Sequence, residues 1–595
     1  MLSRVPPPSA DIPDHPEVVY KFGVYLLNPA DRQLLRDERA VSLAPKMFDA
    51  LLMLVENHDH LVERDQFLRR LWPRGFINEE ALAHCISQLR RALGDSPHKC
   101  RFIKTVPKRG YRFVAATEVV PAAAREVPGS VRVGVLPFEN LGADPEREYL
   151  ADGFTEETIA ALGQIDPDHL SVIGRTTMMA YKRTIKSLAE IGSELVAAYL
   201  IESSIRSEAG RLRITSKLIR VHGQTQIWTA TFDNEVTSIL AYQRELSTAI
   251  AEQVRLRIAP ERLSALARRQ TRNTEAYDLY LRGRYFWNQL SPPTTRRAME
   301  FYARATALDP KYAIAWSGLA DAFTGSTING DARPLDVWPR ARAAIGNAVE
   351  SEPDLAEAQT SLGIAAFFLD WNWQLAERAL RKAVELDPFY CLAHRTLGIV
   401  LSYLRRHAES QLAVRRAREL EPLNVAHHAL SAQVAFNASA YPEAIAFARH
   451  ATVLDSEFWI GYLQLAQAYE QTGDHDLALD ALQHAGRFSG GNSKVMALRG
   501  YLLAKLGRAD EAREVLNTLQ AVSLERYVPP YAMALVNAGL GERHTALECL
   551  DRAYEARDVN LIFLPADPKW DTFRSDAQFV GLLRRCGFDQ LPPPP

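Results

Sequence analysis

The spacing of apolar residues predicts three helices in the first 95 positions of the chain. One set repeats at i, i+3, i+4 and i+7, and two later sets follow the same helical period. Gly94 stands where a left-handed residue would end the third helix. The three apolar faces are, in order, Phe48, Leu51, Leu52 and Val55; Phe67, Leu68 and Leu71; and Leu82, Ile86, Leu89 and Leu93.

Short β-like runs flank these helices. Val18–Leu27 and Gln33–Leu43 precede them, joined by a turn at Asn28-Pro29. Phe102–Val106 and Tyr111–Ala115 follow them, with a basic, glycine-containing turn in between that predicts a hairpin. Three helices followed by a basic hairpin are the pattern of a winged helix-turn-helix.

A second block begins at Val131–Phe138, which is apolar at nearly every position and is typical of a strand buried on both faces. A helix is predicted at Glu148–Gly163 and another at Val236–Ile258. Together these elements predict a small α/β or α+β domain over residues 131–260. Its other strands are predicted at Leu170–Ile173, Ala198–Ser207, Arg211–Val221 and Gln226–Phe232.

The last block has an internal period. Pro310, Pro353, Pro388 and Pro422 follow one another at intervals of 43, 35 and 34 residues. Glycines that can cap a helix recur at joints such as Thr472-Gly473-Asp474. The period predicts seven or eight helix pairs over residues 275–557, stacked into a superhelix with a concave groove and closed by a capping segment at 558–590.

The composition is that of a globular protein, and one segment carries a high positive charge. Apolar residues make up 47% and charged residues 24% of the chain, as in ordinary globular proteins. No apolar stretch approaches 18 residues, which favours a cytoplasmic protein that does not enter a membrane.

The net charge is −2, yet between His84 and Ala115 eight lysines and arginines stand against one acid, Asp95. A local charge of +7 on an acidic chain predicts a polyanionic partner.

Residues 17–115 resemble the OmpR/PhoB-type DNA-binding domain. The resemblance rests on several motifs in the family's order: Leu43-x-Pro45-Lys46-x-Phe48, then Leu71-Trp72, then Ile86-x-x-Leu89-Arg90-Arg91, and the wing Val106-Pro107-Lys108-Arg109-Gly110-Tyr111. The wing is most similar to that of the ToxR/CadC/HilA branch, whose members act without a receiver domain. The resemblance implies sequence-specific binding of double-stranded DNA and, through the branch, transcriptional activation.

The third helix and the wing supply the candidate DNA contacts. With its apolar face turned inward, the helix presents Ser87, Gln88 and Arg91 to the major groove, where Arg91 pairs with guanine and Gln88 with adenine. Arg90 lies at the edge of that face, so we expect it to contact phosphate. Tyr111 either packs or touches phosphate. The full set is His84, Ser87, Gln88, Arg90, Arg91, Lys104, Thr105, Lys108, Arg109, Tyr111 and Arg112.

Two further resemblances complete the domain organisation. Residues 131–258 resemble the amino-terminal region of TolB, and the third block resembles tetratricopeptide repeats (TPRs). The predicted fold class is therefore multidomain α+β: a winged helix-turn-helix, a small α/β domain and an all-α TPR superhelix. A proline-rich tail at 1–16 and a linker at 116–130 are expected to lack regular structure.

The sequence predicts a transcriptional regulator that is not an enzyme and needs no cofactor or metal. Three carboxylates, Asp152, Glu156 and Glu157, lie where acids suit the start of a helix. The histidines at His58, His60 and His427-His428 lack the spacing of a metal site. The TPR array is expected to bind a protein or to receive a signal, with RNA polymerase and a homodimer left open. The alternative is an interaction scaffold whose winged helix binds protein instead of DNA.

Overall fold

The structure is a computed structural model, and its residues fall into two compact units, 1–126 and 127–595. The described residues of the first unit are 18–28, 33–36, 39–41, 43, 45–58, 61–64, 66, 67, 79–95, 100–106, 109–115 and 117–121. Those of the second unit are 131–142, 147–165, 170–208, 211–235, 271, 273–289, 292–328 and 332–588. No helix among these residues is both long and apolar enough to span a membrane.

An antiparallel sheet of five strands, in the order β4-β3-β2-β1-β8, opens the first unit. The prediction of a single strand over Val18–Leu27 is wrong, because Gly23 takes a φ of +56° and folds that stretch into a hairpin. Residues 118–121 were predicted to belong to a linker, but they form the strand β8, which pairs with β1. The strands are β1 (Val18–Phe22), β2 (Tyr25–Asn28), β3 (Gln33–Arg36), β4 (Arg39–Val41) and β8 (Glu118–Pro121).

The predicted first and third helices and the hairpin of this unit are confirmed. They are α1 (Pro45–Glu56), α2 (Glu79–Ala92) and the pair β6 (Ile103–Val106) and β7 (Gly110–Phe113). An additional strand, β5 (Leu61–Glu63), pairs with β7 and makes the sheet three-stranded. Most of the predicted second helix, from Leu68 onward, lies outside the described residues.

The second unit begins with a mixed sheet in the order β11-β9-β12-β13-β14, with β10 paired to β12. The predicted strands of this block are confirmed, and β9 lies at the centre of the parallel part. The predicted helix at Val236–Ile258 lies outside the described residues. The elements are β9 (Val131–Val135), β10 (Glu139–Asn140), α3 (Glu148–Ile165), β11 (Leu170–Val172), α4 (Arg175–Met179), α5 (Leu188–Leu195), β12 (Tyr199–Glu208), β13 (Arg211–Arg220) and β14 (Thr225–Glu235).

Among the described residues from 274 to 555, sixteen helices form eight antiparallel pairs, which we number as repeats 1 to 8, at the upper end of the predicted number. Each pair buries an apolar face against its neighbours, as the stacking of such repeats requires. In order, the helices are α6 (Thr274–Trp287), α7 (Pro292–Leu308), α8 (Ala313–Ile328), α9 (Pro334–Ser351), α10 (Ala356–Phe368), α11 (Trp373–Leu386), α12 (Cys391–Tyr403), α13 (His407–Leu420), α14 (Val425–Asn437), α15 (Tyr441–Leu454), α16 (Trp459–Thr472), α17 (His475–Phe488), α18 (Ser493–Lys505), α19 (Ala509–Ser523), α20 (Pro530–Gly539) and α21 (Arg543–Glu555).

One hydrogen bond recurs at the boundaries of successive repeats. In each case a side chain in the first helix of a repeat donates to the carbonyl oxygen of the residue six positions earlier. That earlier residue is the one that marks the repeat boundary in the sequence period. The donors differ chemically, since they include an indole, an amide, two imidazoles and a phenol. The pairs are Trp316 with Pro310, Gln359 with Pro353, His394 with Pro388, His428 with Pro422, and Tyr462 with Ser456, at 2.8–3.2 Å.

The α/β domain and the array, which the sequence analysis treats as separate blocks, share one apolar core within the second unit. Two glycines of the domain allow the close approach. A Cβ on Gly153 would lie 2.8 Å from Leu281, and a Cβ on Gly174 would lie 2.2 Å from Cγ of Glu421. The domain is therefore packed against the helices of the array.

After the last repeat, residues 559–588 pack back against earlier repeats. They form two short 3-10 helices, η1 (Val559–Phe563) and η2 (Pro568–Phe573), and the helix α22 (Ala577–Arg585). Phe588 packs on Trp373 at a ring distance of 4.9 Å, and Trp570 is fully buried. Trp371 and Trp373 are therefore core residues, and the carboxy-terminal segment covers the part of repeat 3 that holds Trp373.

Candidate nucleic-acid interface

Helix α2 separates its polar residues from its core residues as the sequence predicts. Leu82, Ile86, Leu89 and Leu93 are all buried. On the other face, Ser87 and Arg91 are exposed and Gln88 is half-buried. A surface helix with this division can present a short row of hydrogen-bonding side chains to the edges of base pairs.

The hairpin of β6 and β7 exposes further polar side chains. Lys104 lies directly across from Arg112, and Thr105 lies across from Tyr111. Lys104, Thr105, Arg109 and Arg112 are exposed. The cations among them have no ion-pair partner among the described residues, so their charges are available to an anionic ligand.

Arg90 does not lie on the surface with Arg91. Its side chain is 8% exposed, and its Nη2 donates to the carbonyl oxygen of Ile103 at 2.9 Å and to Oγ1 of Thr105 at 2.8 Å. The predicted phosphate contact of Arg90 is thus corrected: the guanidinium reaches under the wing and joins α2 to β6. Helical periodicity placed this residue at the edge of the apolar face, but it could not show what lies beyond that edge.

Asp95, the one acid of the basic segment, forms a second link between α2 and the wing. Its carboxylate accepts hydrogen bonds from the backbone N–H groups of Arg101, Phe102 and Ile103 at 2.8–3.2 Å. Gly94 takes a φ of +62° just before it, so the helix ends as predicted and Asp95 faces the next strand. Sequence reasoning missed this role; the signal was an acid immediately after the capping glycine.

Two wing residues, Gly110 and Tyr111, have structural roles. Tyr111 is buried and its ring packs edge-on against Phe67 at 6.0 Å, so of its two predicted roles the structure supports packing and not a phosphate contact. Gly110 is required by a close approach, because a Cβ there would lie 2.1 Å from the carbonyl oxygen of Val62 on β5. The side chain of His84 and all of Lys108 lie outside the described residues.

Two of the three acids at the start of α3, Asp152 and Glu156, are held in ion pairs. Lys182 contacts both Asp152, at 2.5 Å, and Glu148, at 2.8 Å. Glu156 lies 3.2 Å from Nε of Arg175 and also pairs with Arg284. These pairs join α3 to α4 and to the first helix of the array, which accounts for the acids as structural groups.

One group of side chains has the composition of a metal site. Ligand atoms of Cys391, Glu421 and His427 lie within 4.8 Å of one another. The sequence did not reveal this group, because its members lie in different repeats or at a repeat boundary. The carboxylate of Glu421 already accepts hydrogen bonds from the N–H of Thr176 and from Asn424, and it also pairs with His427. Burial raises the pKa of this carboxyl, but the three contacts outweigh burial and lower the pKa to about 2. The group therefore serves as a polar link between the α/β domain and the array.

Two segments of the chain match protein-family models. Residues 38–113 match the family described as "Transcriptional regulatory protein, C terminal", and residues 402–566 match the "Tetratricopeptide repeat" family. The first segment contains α1, α2 and the wing. The matches agree with the winged-helix and repeat architectures derived above.

Relatives of the chain include named regulators. It is 24% identical over 347 residues to the transcriptional regulator HilA of Salmonella paratyphi A, covering 58% of this chain and 60% of that protein. It is 30% identical over 97 residues to the transcriptional activator CadC of Escherichia coli, covering 16% of this chain and 19% of that protein. A "Putative adenylate cyclase 3" of Rhizobium meliloti is 30% identical over 195 residues, covering 33% of each chain. The chain thus spans a fifth to three fifths of the length of these relatives.

Proposed function

We propose that this chain, which carries an OmpR/PhoB-type winged helix and a tetratricopeptide-repeat array, is a sequence-specific DNA-binding transcriptional regulator. The observation that carries the proposal is the set of exposed cations Arg91, Lys104, Arg109 and Arg112, without ion-pair partners among the described residues, on one helix and the adjoining wing. Exposed like charges repel one another, and a polyanion relieves that repulsion.

In the proposed complex, α2 enters the major groove. Ser87, Gln88 and Arg91 read base edges there, and His84 is assigned to the same face. Lys104, Thr105, Arg109 and Arg112 contact the backbone or the adjacent minor groove, together with Lys108. Arg90 and Asp95 hold the wing at the correct distance from α2 and do not touch DNA.

The array is proposed to bind a protein, such as RNA polymerase or a second copy of the chain, or to receive a signal, and the regulator is proposed to activate transcription. Because its target is chromosomal DNA, the proposal places it in the cytoplasm. Its output is a change in transcription, so the proposal assigns no catalytic activity to the chain.

Fluorescence anisotropy tests the proposal directly. The full chain and residues 1–126, the compact unit that includes β8, are titrated against DNA from upstream of the chain's own gene and against scrambled DNA. We expect sequence preference and an affinity that falls as salt rises, since bound phosphates release counterions. Preference in the short protein alone would mean that the later residues restrain binding.

The alternative, an interaction scaffold, makes the opposite prediction. A winged helix that binds protein would show no preference between the two DNAs and little dependence on salt. Absence of salt-dependent DNA binding in both proteins would therefore reject the regulator and favour the scaffold.

A further inference from the structure

A groove of about 660 Å³ lies in the second unit, where an early repeat meets the late repeats. One wall is the start of α9, with Arg333 and Leu335. The other wall is the segment that joins α19 to α20, with Leu524 and Arg526, and the end of α21 closes the groove with Arg552. Residues nearly 200 positions apart in the sequence thus form one concave surface.

The groove is apolar at its rim. Leu524 is 88% exposed and Leu335 is 44% exposed, although both line the same depression. Single exposed leucines are ordinary on protein surfaces, but two that face one groove offer a site for an apolar side chain.

The groove carries an excess of positive charge. Three arginines line it, and none has a carboxylate partner among the described residues: Arg526 donates to the carbonyl of Gly491, and Arg552 donates to Sγ of Cys549 at 2.8 Å. Two acids line it as well, but Glu555 is already paired with Arg585 at 3.2 Å. Among the described lining residues, this leaves Glu525 as the unpaired carboxylate opposite three guanidinium groups.

We propose that this groove docks an acidic peptide segment of a partner protein, with a bulky apolar side chain seated between Leu335 and Leu524. The surplus of arginine selects for carboxylates, and the open shape suits an extended chain, because sites for small molecules enclose most of their ligand. The surface differs from the face covered by residues 559–588. This proposal rests on the protein-binding part of the proposed function and specifies the chemistry of the partner, whereas DNA binding is tested separately.

The test uses the full chain and fluorescein-labelled peptides, without DNA. One peptide has glutamates around a Leu-Leu pair; in the second, lysines replace the glutamates, and in the third, alanines replace the leucines. We expect salt-sensitive binding of the first peptide only. Arg333→Glu and Arg526→Glu should each weaken it about tenfold, because they place like charges against the ligand, and Leu524→Ala should weaken it without changing the salt dependence.

Arg304→Glu is the matched control, because Arg304 is an exposed arginine on α7 away from the groove. All the altered side chains are exposed, and an unchanged thermal unfolding midpoint verifies that each variant is folded. Equal binding of the three peptides, equal weakening by Arg304→Glu, or no effect of the groove variants would overturn the proposal. Complete displacement of the peptide by citrate at the same concentration would also overturn it and assign the groove to a small anion.

Discussion

The Nη2 atom of Arg90 lies 2.8 Å from Oγ1 of Thr105, and this bond joins the last turn of α2 to strand β6. Arg90 and Arg91 are neighbours in sequence with opposite environments: one is buried under the wing and the other is exposed. The wing is therefore positioned by a residue that a charge count assigns to the DNA surface.

Replacing Arg90 by alanine should loosen the wing. The change removes two charge-assisted hydrogen bonds and leaves the Ile103 carbonyl unpaired, at a cost of about 1–3 kcal/mol. Hydrogen exchange of β6 should become faster, and affinity should fall for specific and scrambled DNA alike. Arg91→Ala is the matched control and should leave exchange unchanged; faster exchange in that variant instead would contradict the assignment.

Arg91 and Arg112 should differ in what they contribute to DNA binding. Arg91→Ala should relax base preference at one position of the site by about 1–3 kcal/mol. Arg112→Ala should weaken all sequences equally and reduce the slope of log affinity against log salt by about one, and Lys108→Ala should act in the same way. Anisotropy titrations on single-base variants of the site at several salt concentrations separate the two effects. If Arg112→Ala lowered affinity for some base sequences more than for others, Arg112 would read a base, and the assignment of a phosphate contact to it would be wrong.

Gly174→Ala should destabilise the contact between the α/β domain and the array. The new Cβ would lie 2.2 Å from Cγ of Glu421, so that side chain must move and lose its bond to the N–H of Thr176. We expect a loss of about 1–3 kcal/mol in denaturant unfolding, the usual cost of overpacking. Gly163→Ala is the control at the same interface, because its Cβ would meet Phe389 at an ordinary 3.6 Å. Equal stability of the two variants would show that the interface adapts freely.

His394 should make the array less stable in acid. Burial lowers its pKa from 6.5 to about 4, so the folded protein keeps it neutral while the unfolded chain takes up a proton below pH 6.5. This contribution to stability is complete above pH 6.5 and decreases as the pH falls towards 4, by about 2 kcal/mol between pH 7 and pH 5.

The variant His394→Gln isolates that contribution. Glutamine does not titrate, and it can keep the bond to the Pro388 carbonyl, as Gln359 does with Pro353 at 2.8 Å. Denaturant unfolding at both pH values should show near-normal stability at pH 7 and a smaller loss at pH 5. An unchanged loss at pH 5 would mean that other groups govern the acid sensitivity.

The sequence predicts those elements whose pattern is local. The faces of α1 and α2, the hairpin of the wing and the boundaries at Pro388 and Pro422 repeat with the period of their own structure, so they can be recognised without knowing the fold. The base-reading residues Ser87, Gln88 and Arg91 follow from the same periodicity, and their contacts remain predictions.

The elements that the sequence analysis missed depend on partners distant in the chain. Val119 and Val120 sit in a stretch with linker composition and form a strand only because β1, about 100 residues earlier, offers its edge. In the same way, Arg90 is buried by residues of β6, and Glu421 meets Thr176 from another part of the chain. Local periodicity contains no information about such pairings.

The return of residues 559–588 across the array fixes how many repeats the chain can have. In an open solenoid each repeat contacts only its neighbours, so repeats can be gained or lost one at a time. Here Phe588 packs on Trp373 in repeat 3, Lys569 lies over Phe436 in repeat 5, and Trp570 donates to Tyr531 in repeat 8. Inserting or deleting one helix pair between these points would shift every later contact by a full repeat, so this array can diverge in sequence but not in length.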